Sequence, residues 1–129
     1  MKTIAHRADL AAVAELLARA VPYAVTGEAS LSPLVDGAEL YAMRDHQGRT
    51  VGAFAMTRTD TEAGAFMDIT AAGGLPGHDL VADIDAAAVA QARAHRAVAV
   101  RCLTKRPALR RRLERQGWRV AGWVMTKEA

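Results

Sequence analysis

The chain contains a single cysteine, Cys102, so no internal disulfide can form, and a reducing, cytoplasmic setting is the expectation. Aromatic residues are scarce, two each of Trp, Tyr and Phe, and alanine dominates the apolar set. A core built from such residues is thin, with helices lying close to whatever they cover. No apolar run approaches the ~20 residues that a membrane span needs. The opening MKTIAHRADL also lacks the apolar stretch of a signal peptide. His6, His46, His78 and His95 show no ligand spacing, so no metal is expected. No Ser-His-Asp or Cys-His arrangement can be argued from the residues present. Cys102 itself sits inside AVAVRCL, the setting of a buried strand thiol rather than a nucleophile.

What is present suits one soluble, globular domain over residues 1–129. Apolar residues make up 51% and charged residues 24%, and the length is enough to bury a core. The net charge of +3 is unevenly spread, with seven basic residues and only Glu114 acidic between Lys105 and Arg119. A basic cluster can face a polyanion. Here Leu109 and Leu113 lie four apart, and no aromatic interleaves the arginines before Trp118. That pattern favours the solvated face of an amphipathic helix, and nucleic acid is not expected as a partner.

Periodicity orders the chain. Asp9 is a good N-cap for LAAVAELLARAV, with Leu10, Val13, Leu17 and Val21 as its stripe and Pro22 at its end. Residues 23–38 read as loop with one short helix. ELYAMRDHQGRTVGAFAMT reads as a hairpin turning at DHQG, and AFMDITA as a third antiparallel strand. After AGGLPGHDL comes the Ala-rich helix HDLVADIDAAAVAQARAHR, with aspartates early and basic residues late, as the helix dipole favours. AVAVRCL is a short strand buried on both faces. Thr104 is placed to cap a further helix, Gly117 to stop it, and WRVAGWVM reads as a closing strand. The order predicts an α+β (mixed α/β) domain with a parallel crossover between residues 65 and 103.

With that order in place, FMDITA, GGLPGHD and LVADIDAAAVAQARA are similar to the central strand, pyrophosphate loop and following helix of the GNAT N-acetyltransferase superfamily. Glu114, Gly117, Trp118, Met125 and Lys127 in LERQGWRVAGWVMTKE resemble that family's closing segment. The resemblance spans residues 38 to 127. It implies a central, mostly antiparallel sheet of about 5–7 strands flanked by about 3–4 helices, with a splayed central strand. It also implies acetyl-CoA or another acyl-CoA as co-substrate, direct transfer to a small-molecule or peptide amine, and no metal. By that resemblance Ile69 and Ala71 would hold the pantetheine arm as an added strand. Gly74, Leu75, Gly77, His78 and Asp79 would meet the pyrophosphate at a helix N-terminus, and Arg106 stands where the family carries an Asn. The amine must lose a proton before attack, and Glu62 and Asp68 are the candidate catalytic bases.

Besides Arg106, three positions depart from the family pattern. Gly74 replaces the usual Gln or Arg of the loop, and Leu113 replaces the tyrosine that would protonate the leaving thiolate. Asp79 replaces a Gly or Ala and puts a carboxylate among donors meant for phosphate. Two like charges ~5 Å apart at an effective dielectric near 20 repel by about 3 kcal/mol, roughly a hundredfold in affinity. The residues therefore support two expectations. One is a small acyl-CoA-dependent N-acyltransferase. The other is a catalytically silent binding or structural protein on the same fold, such as a phage or mobile-element component, with the basic helix as its docking face and a homodimer or larger assembly as its state.

Overall fold

The computed structural model describes residues 2–25 and 27–129; Met1 and Thr26, the latter within the segment read as loop, lie outside the described residues. The elements in chain order are β1 (Ile4–Arg7), α1 (Leu10–Leu17), a 3-10 segment (Ala18–Tyr23), α2 (Ser32–Val35), β2 (Glu39–Arg44), β3 (Thr50–Thr61), β4 (Gly64–Gly74), α3 (Val81–Ala94), β5 (Ala99–Cys102) and α4 (Pro107–Arg115). The strands form one sheet in the order β1-β2-β3-β4-β5. The first four pair antiparallel, and β5 joins β4 in parallel after the α3 crossover. This is the mixed α+β architecture expected from the sequence.

Side-chain alternation divides the core between the two faces of the sheet. Along β3, Ala53 and Ala55 face a cluster with Val13, Leu16 and Leu17 of α1, whereas Phe54 and Met56 face one with Ala88 and Ala92 of α3. The larger sheet residues on the α3 side are matched by an alanine-faced helix, so that helix lies flat on them. Tyr41 stacks on Phe54 with ring centroids 4.9 Å apart and ties the sheet to α3 by its hydroxyl, 2.6 Å from Glu39 Oε2 and 3.1 Å from Gln91 Oε1. Burial and the Glu39 hydrogen bond push this phenol up to about 12, so it remains a donor across the working pH range.

On the α1 side the small residues permit a much closer approach. Asp9 caps α1 by accepting the Ala12 N–H, and the helix ends directly over β4. A Cβ built on Gly73 would collide with the Leu16 carbonyl. Glycine is required there because two backbones touch, not because a turn needs it.

Three local expectations are corrected. β1 was not foreseen: four residues at an edge, with Ile4 64% exposed, carry too little alternation to read as a strand. α4 has Arg106, not Thr104, at its N-cap; the Thr104 hydroxyl accepts the Arg106 N–H at 3.1 Å and forms the turn before it. The closing segment WRVAGWVM forms no strand, and every residue from Arg119 to Ala129 is exposed. It has strand-forming residues but finds no partner strand among the described residues.

Gly73→Ala should cost about 1–3 kcal/mol, because the Leu16 carbonyl cannot move without lifting α1. A urea titration followed by circular dichroism measures this; an unchanged midpoint would contradict the close contact.

Candidate active site

The site begins at an irregularity in β4. Ala55 pairs with Ala71 but its neighbour Met56 pairs with Ile69, so Thr70 is an extra residue with no opposite number on β3. Such a bulge re-aims the chain by one position. Met67 and Ile69 accordingly pack on the α3 side, whereas Ala71 packs on the α1 side. Past the same point the sheet opens. β5 stays in register with β4 only from Phe66↔Ala99 to Ile69↔Cys102, while β4 runs on to Gly74. From Ala71 to Gly74 the strand pairs with β3 on one side and, among the described residues, with no strand on the other. The Thr70 hydroxyl oxygen is buried at this fork and has no hydrogen-bond partner among the described residues.

The gap narrows from α-helical and 3-10 elements around it. Tyr23, at the end of the 3-10 segment, holds the Arg106 guanidinium 4.5 Å above its ring. That contact joins the element lying over β4 to the start of α4. The stretch AGGLPGHDL closes the other end. Its first three residues complete β4, the Leu75 N–H donates to the Val51 carbonyl, and Gly77 turns with φ +83°. The chain then enters α3, whose first residue, Val81, donates its N–H to Asp79 Oδ1 at 3.2 Å. His78 Nδ1 is buried and has no hydrogen-bond partner among the described residues. A groove of about 250 Å³ between α1 and this loop is lined by Glu15, Arg19, Thr50 and Leu75, among others.

Asp79 does not stand as a bare carboxylate. Arg112 of α4 reaches across and pairs with its Oδ1. The repulsion expected from the sequence is thereby offset by a cation 33 positions away, which no local spacing could disclose. Among the basic residues of α4, Arg110 is paired with Glu114 along the helix. Only Leu109, Arg112 and Leu113 of that helix are half-buried, so the amphipathic reading of the segment describes it well.

The expected bases fare differently from the loop. Ile69 is the last β4 residue paired with β5, Ala71 and Gly74 lie on the opened edge beyond it, and Leu75, Gly77, His78 and Asp79 on its continuation, with Arg106 over the Tyr23 ring. Glu62 is exposed in the turn between β3 and β4. At about 3.3 Å per residue, the five steps from Gly64 to Ile69 put it roughly 17 Å or more from the fork. Asp68 is adjacent but engaged: Arg101 Nε and Nη2 donate to its two oxygens at 2.7 and 3.1 Å, and the Thr59 hydroxyl donates at 2.6 Å. Burial works to raise its pKa, but the hydrogen bonds from Arg101 and Thr59 and the Arg101 charge prevail and hold it below the usual range. Arg101 in turn lies 4.2 Å over the Phe66 ring. A carboxylate held this way is a weak proton acceptor and a good strand-to-strand tie. Cys102, the last residue of β5 before the fork, is mostly shielded, and burial raises its thiol pKa, so it stays protonated. Among the described residues no group of His, Cys, Asp and Glu is placed to hold a metal.

The overall fold recurs in known structures. The chain aligns over 99% of its length with the whole of an acetyltransferase from Trypanosoma brucei, at a TM-score of 0.69 and 16% identity. It aligns over 100% of its length with 99% of a ribosomal-protein-alanine N-acetyltransferase from Brucella melitensis, at 0.68 and 16%. A glucosamine-6-phosphate N-acetyltransferase from Arabidopsis thaliana matches over 99% of each chain, at 0.64 and 12%. The protein therefore has the GNAT acetyltransferase fold. No protein-family model matches the sequence, and no curated protein matches it significantly.

Because the Asp68 pKa is lowered on folding, the tie to Arg101 contributes stability in full above the unfolded-state value near 3.9 and loses it as pH falls through the lower folded value. Asp68→Asn should cost about 1 kcal/mol at pH 7, and the difference from wild type should vanish at the acid end. Thermal melts of both proteins across that range test this; a gap that persists undiminished would contradict it.

Proposed function

We propose that the protein is an acyl-CoA-dependent acyltransferase that binds its donor along the opened edge of β4 and transfers the acyl group to an amine. The observation that carries this reading is the fork itself. β5 ends opposite Ile69, and the five residues Thr70 to Gly74 run on past it, bulged at Thr70 and without a neighbouring strand on that side among the described residues, next to a glycine loop that opens a long helix. Main-chain groups of that edge, around Ile69 and Ala71, suit an amide-bearing pantetheine arm as an extra strand would. The unpartnered hydroxyl of Thr70 and ring nitrogen of His78 are polar atoms of the same region that still need partners. The residues present thus fit the donor.

The donor supplies an activated thioester; the chain's own residues hold and orient it. Gly74 to Asp79 and the first N–H groups of α3 receive the pyrophosphate, with Arg112 as the charge that the loop itself lacks. Asp79 now accepts one of those groups, the Val81 N–H, and holds Arg112. Phosphate binding has to displace this carboxylate, after which Arg112 is free to pair with the phosphate. Neither Glu62, which is remote, nor Asp68, which is tied to Arg101, is free to take the amine proton as it stands. Leu113 offers no hydroxyl to protonate the leaving thiolate.

The Asp79–Arg112 pair also supports a second reading, in which the loop is permanently closed on itself and the fold serves as a docking module. Calorimetric titration with acetyl-CoA separates the two. The first reading predicts saturable binding, tightened about tenfold by Asp79→Asn and weakened about tenfold by Arg112→Ala. Absence of binding at millimolar acetyl-CoA in both the wild type and Asp79→Asn would establish the second.

A further inference from the structure

Beside the fork, the α1 face of the sheet carries a polar shelf that no helix covers. Alternation defines it: Met67, Ile69 and Val100 pack on the α3 side, so Phe66, Asp68 and Arg101 project on the other. The core on that side reaches Ala55 along β3 and Ala71 along β4 and stops there. Past it Phe66 and Asp68 are half-buried, and the Arg101 side chain is 43% exposed. The shelf adjoins the fork directly, since Arg101 precedes Cys102, the residue paired with Ile69.

Two guanidinium groups belong to this side of the sheet, and each rests on an aromatic ring. Arg101 lies 4.2 Å over Phe66. Arg106 lies 4.5 Å over Tyr23, the last residue of the 3-10 segment, whose Ala20 and Val21 pack against the α1-side core. A guanidinium held through its face keeps its N–H edges for other partners. Arg101 uses one edge, Nε and Nη2, on Asp68; its Nη1 donates to nothing among the described residues. The Arg106 side chain has neither a hydrogen bond nor an ion pair among them. Residues 101 to 106 hold a third cation, Lys105, and no acid, so Asp68 leaves the shelf cationic. Arginine edges with spare donors, fixed in advance, are what carboxylate and phosphate recognition requires. The donor's pyrophosphate is not what they await. Arg101 is level with Asp68 on β4, six positions before Gly74 and roughly 20 Å from it at 3.3 Å per residue.

We infer that Arg101 and Arg106 hold an anionic group of the acyl acceptor, so that the acceptor is an amine which also carries a carboxylate or a phosphate. That the molecule bound here is the acceptor rests on the acyltransferase reading; the anion site itself does not. Shelf and donor edge meet at Ile69 and Cys102, and a short molecule anchored by its anion presents its amine at the fork. Asp68 then serves as a positioning residue, fixing the Arg101 guanidinium with one edge free.

NMR titration of the full chain, following the Arg101 and Arg106 Nε–H signals, tests this with three probes of similar size: O-phosphoethanolamine, β-alanine and ethanolamine. Saturable shifts at both arginines are expected with an anionic probe, and the better of the two tells phosphate from carboxylate. Ethanolamine should bind at least about tenfold more weakly. Arg101→Lys keeps a charge beside Asp68 but loses the fork, and Arg106→Gln removes an unpaired, exposed cation. Each should weaken the better anionic probe about tenfold with the circular dichroism of the fold intact. Calorimetry with acetyl-CoA on the same sample separates the two readings. Shifts in a protein that binds no acetyl-CoA uphold the anion site and overturn its assignment to an acceptor. Absence of shifts up to tens of millimolar of either anionic probe, or ethanolamine binding as tightly as they do, overturns the site whatever acetyl-CoA does.

Discussion

One extra residue in β4 organises this molecule. Without Thr70 as a bulge, Ala71 would continue on the face of Met67 and Ile69. With it, the strand changes face just where β5 ends, and Thr70 to Gly74 have no neighbouring strand on the β5 side among the described residues. Unpaired backbone in such a position is costly unless something binds it. The close packing of α1 on Gly73, the tie between Asp68 and Arg101, and the clasp of Arg106 on Tyr23 all brace the fork around that opening.

Electrostatics at the loop follow from the same arrangement. A carboxylate at Asp79 meets the N-terminus of α3, as a phosphate would, and is answered by Arg112 from the helix beyond β5. The side chain behaves as a built-in substitute for an anionic ligand. It makes the loop stable when empty, and any anion that enters must compete with it. Affinity for a donor is thus set by two residues that form a pair in its absence.

Much of this was legible in the sequence, and what was not has physical causes. The hairpin, the central strand and α3 declared themselves by alternation and by the glycine-to-alanine transition at AGGLPGHDL. The pairing of Arg112 with Asp79, of Arg101 with Asp68 and of Tyr23 with Arg106 did not, since each joins elements far apart in the chain. Asp68 looked like a base because a strand carboxylate near a cleft gives no sign of its partner. Gly73 looked like part of a flexible loop, whereas its role is to let α1 touch the sheet. The tail read as a strand by composition, yet a strand exists only where another accepts it.

The claim on which the rest depends is that the free edge of β4 is a binding surface. Amide hydrogen exchange at single-residue resolution, with and without acetyl-CoA, addresses it directly. The account predicts added protection between Thr70 and Gly74 and at the first turn of α3, with no change at the Glu62 turn. Protection confined to other parts of the chain, or unaltered exchange at saturating acetyl-CoA, would contradict it.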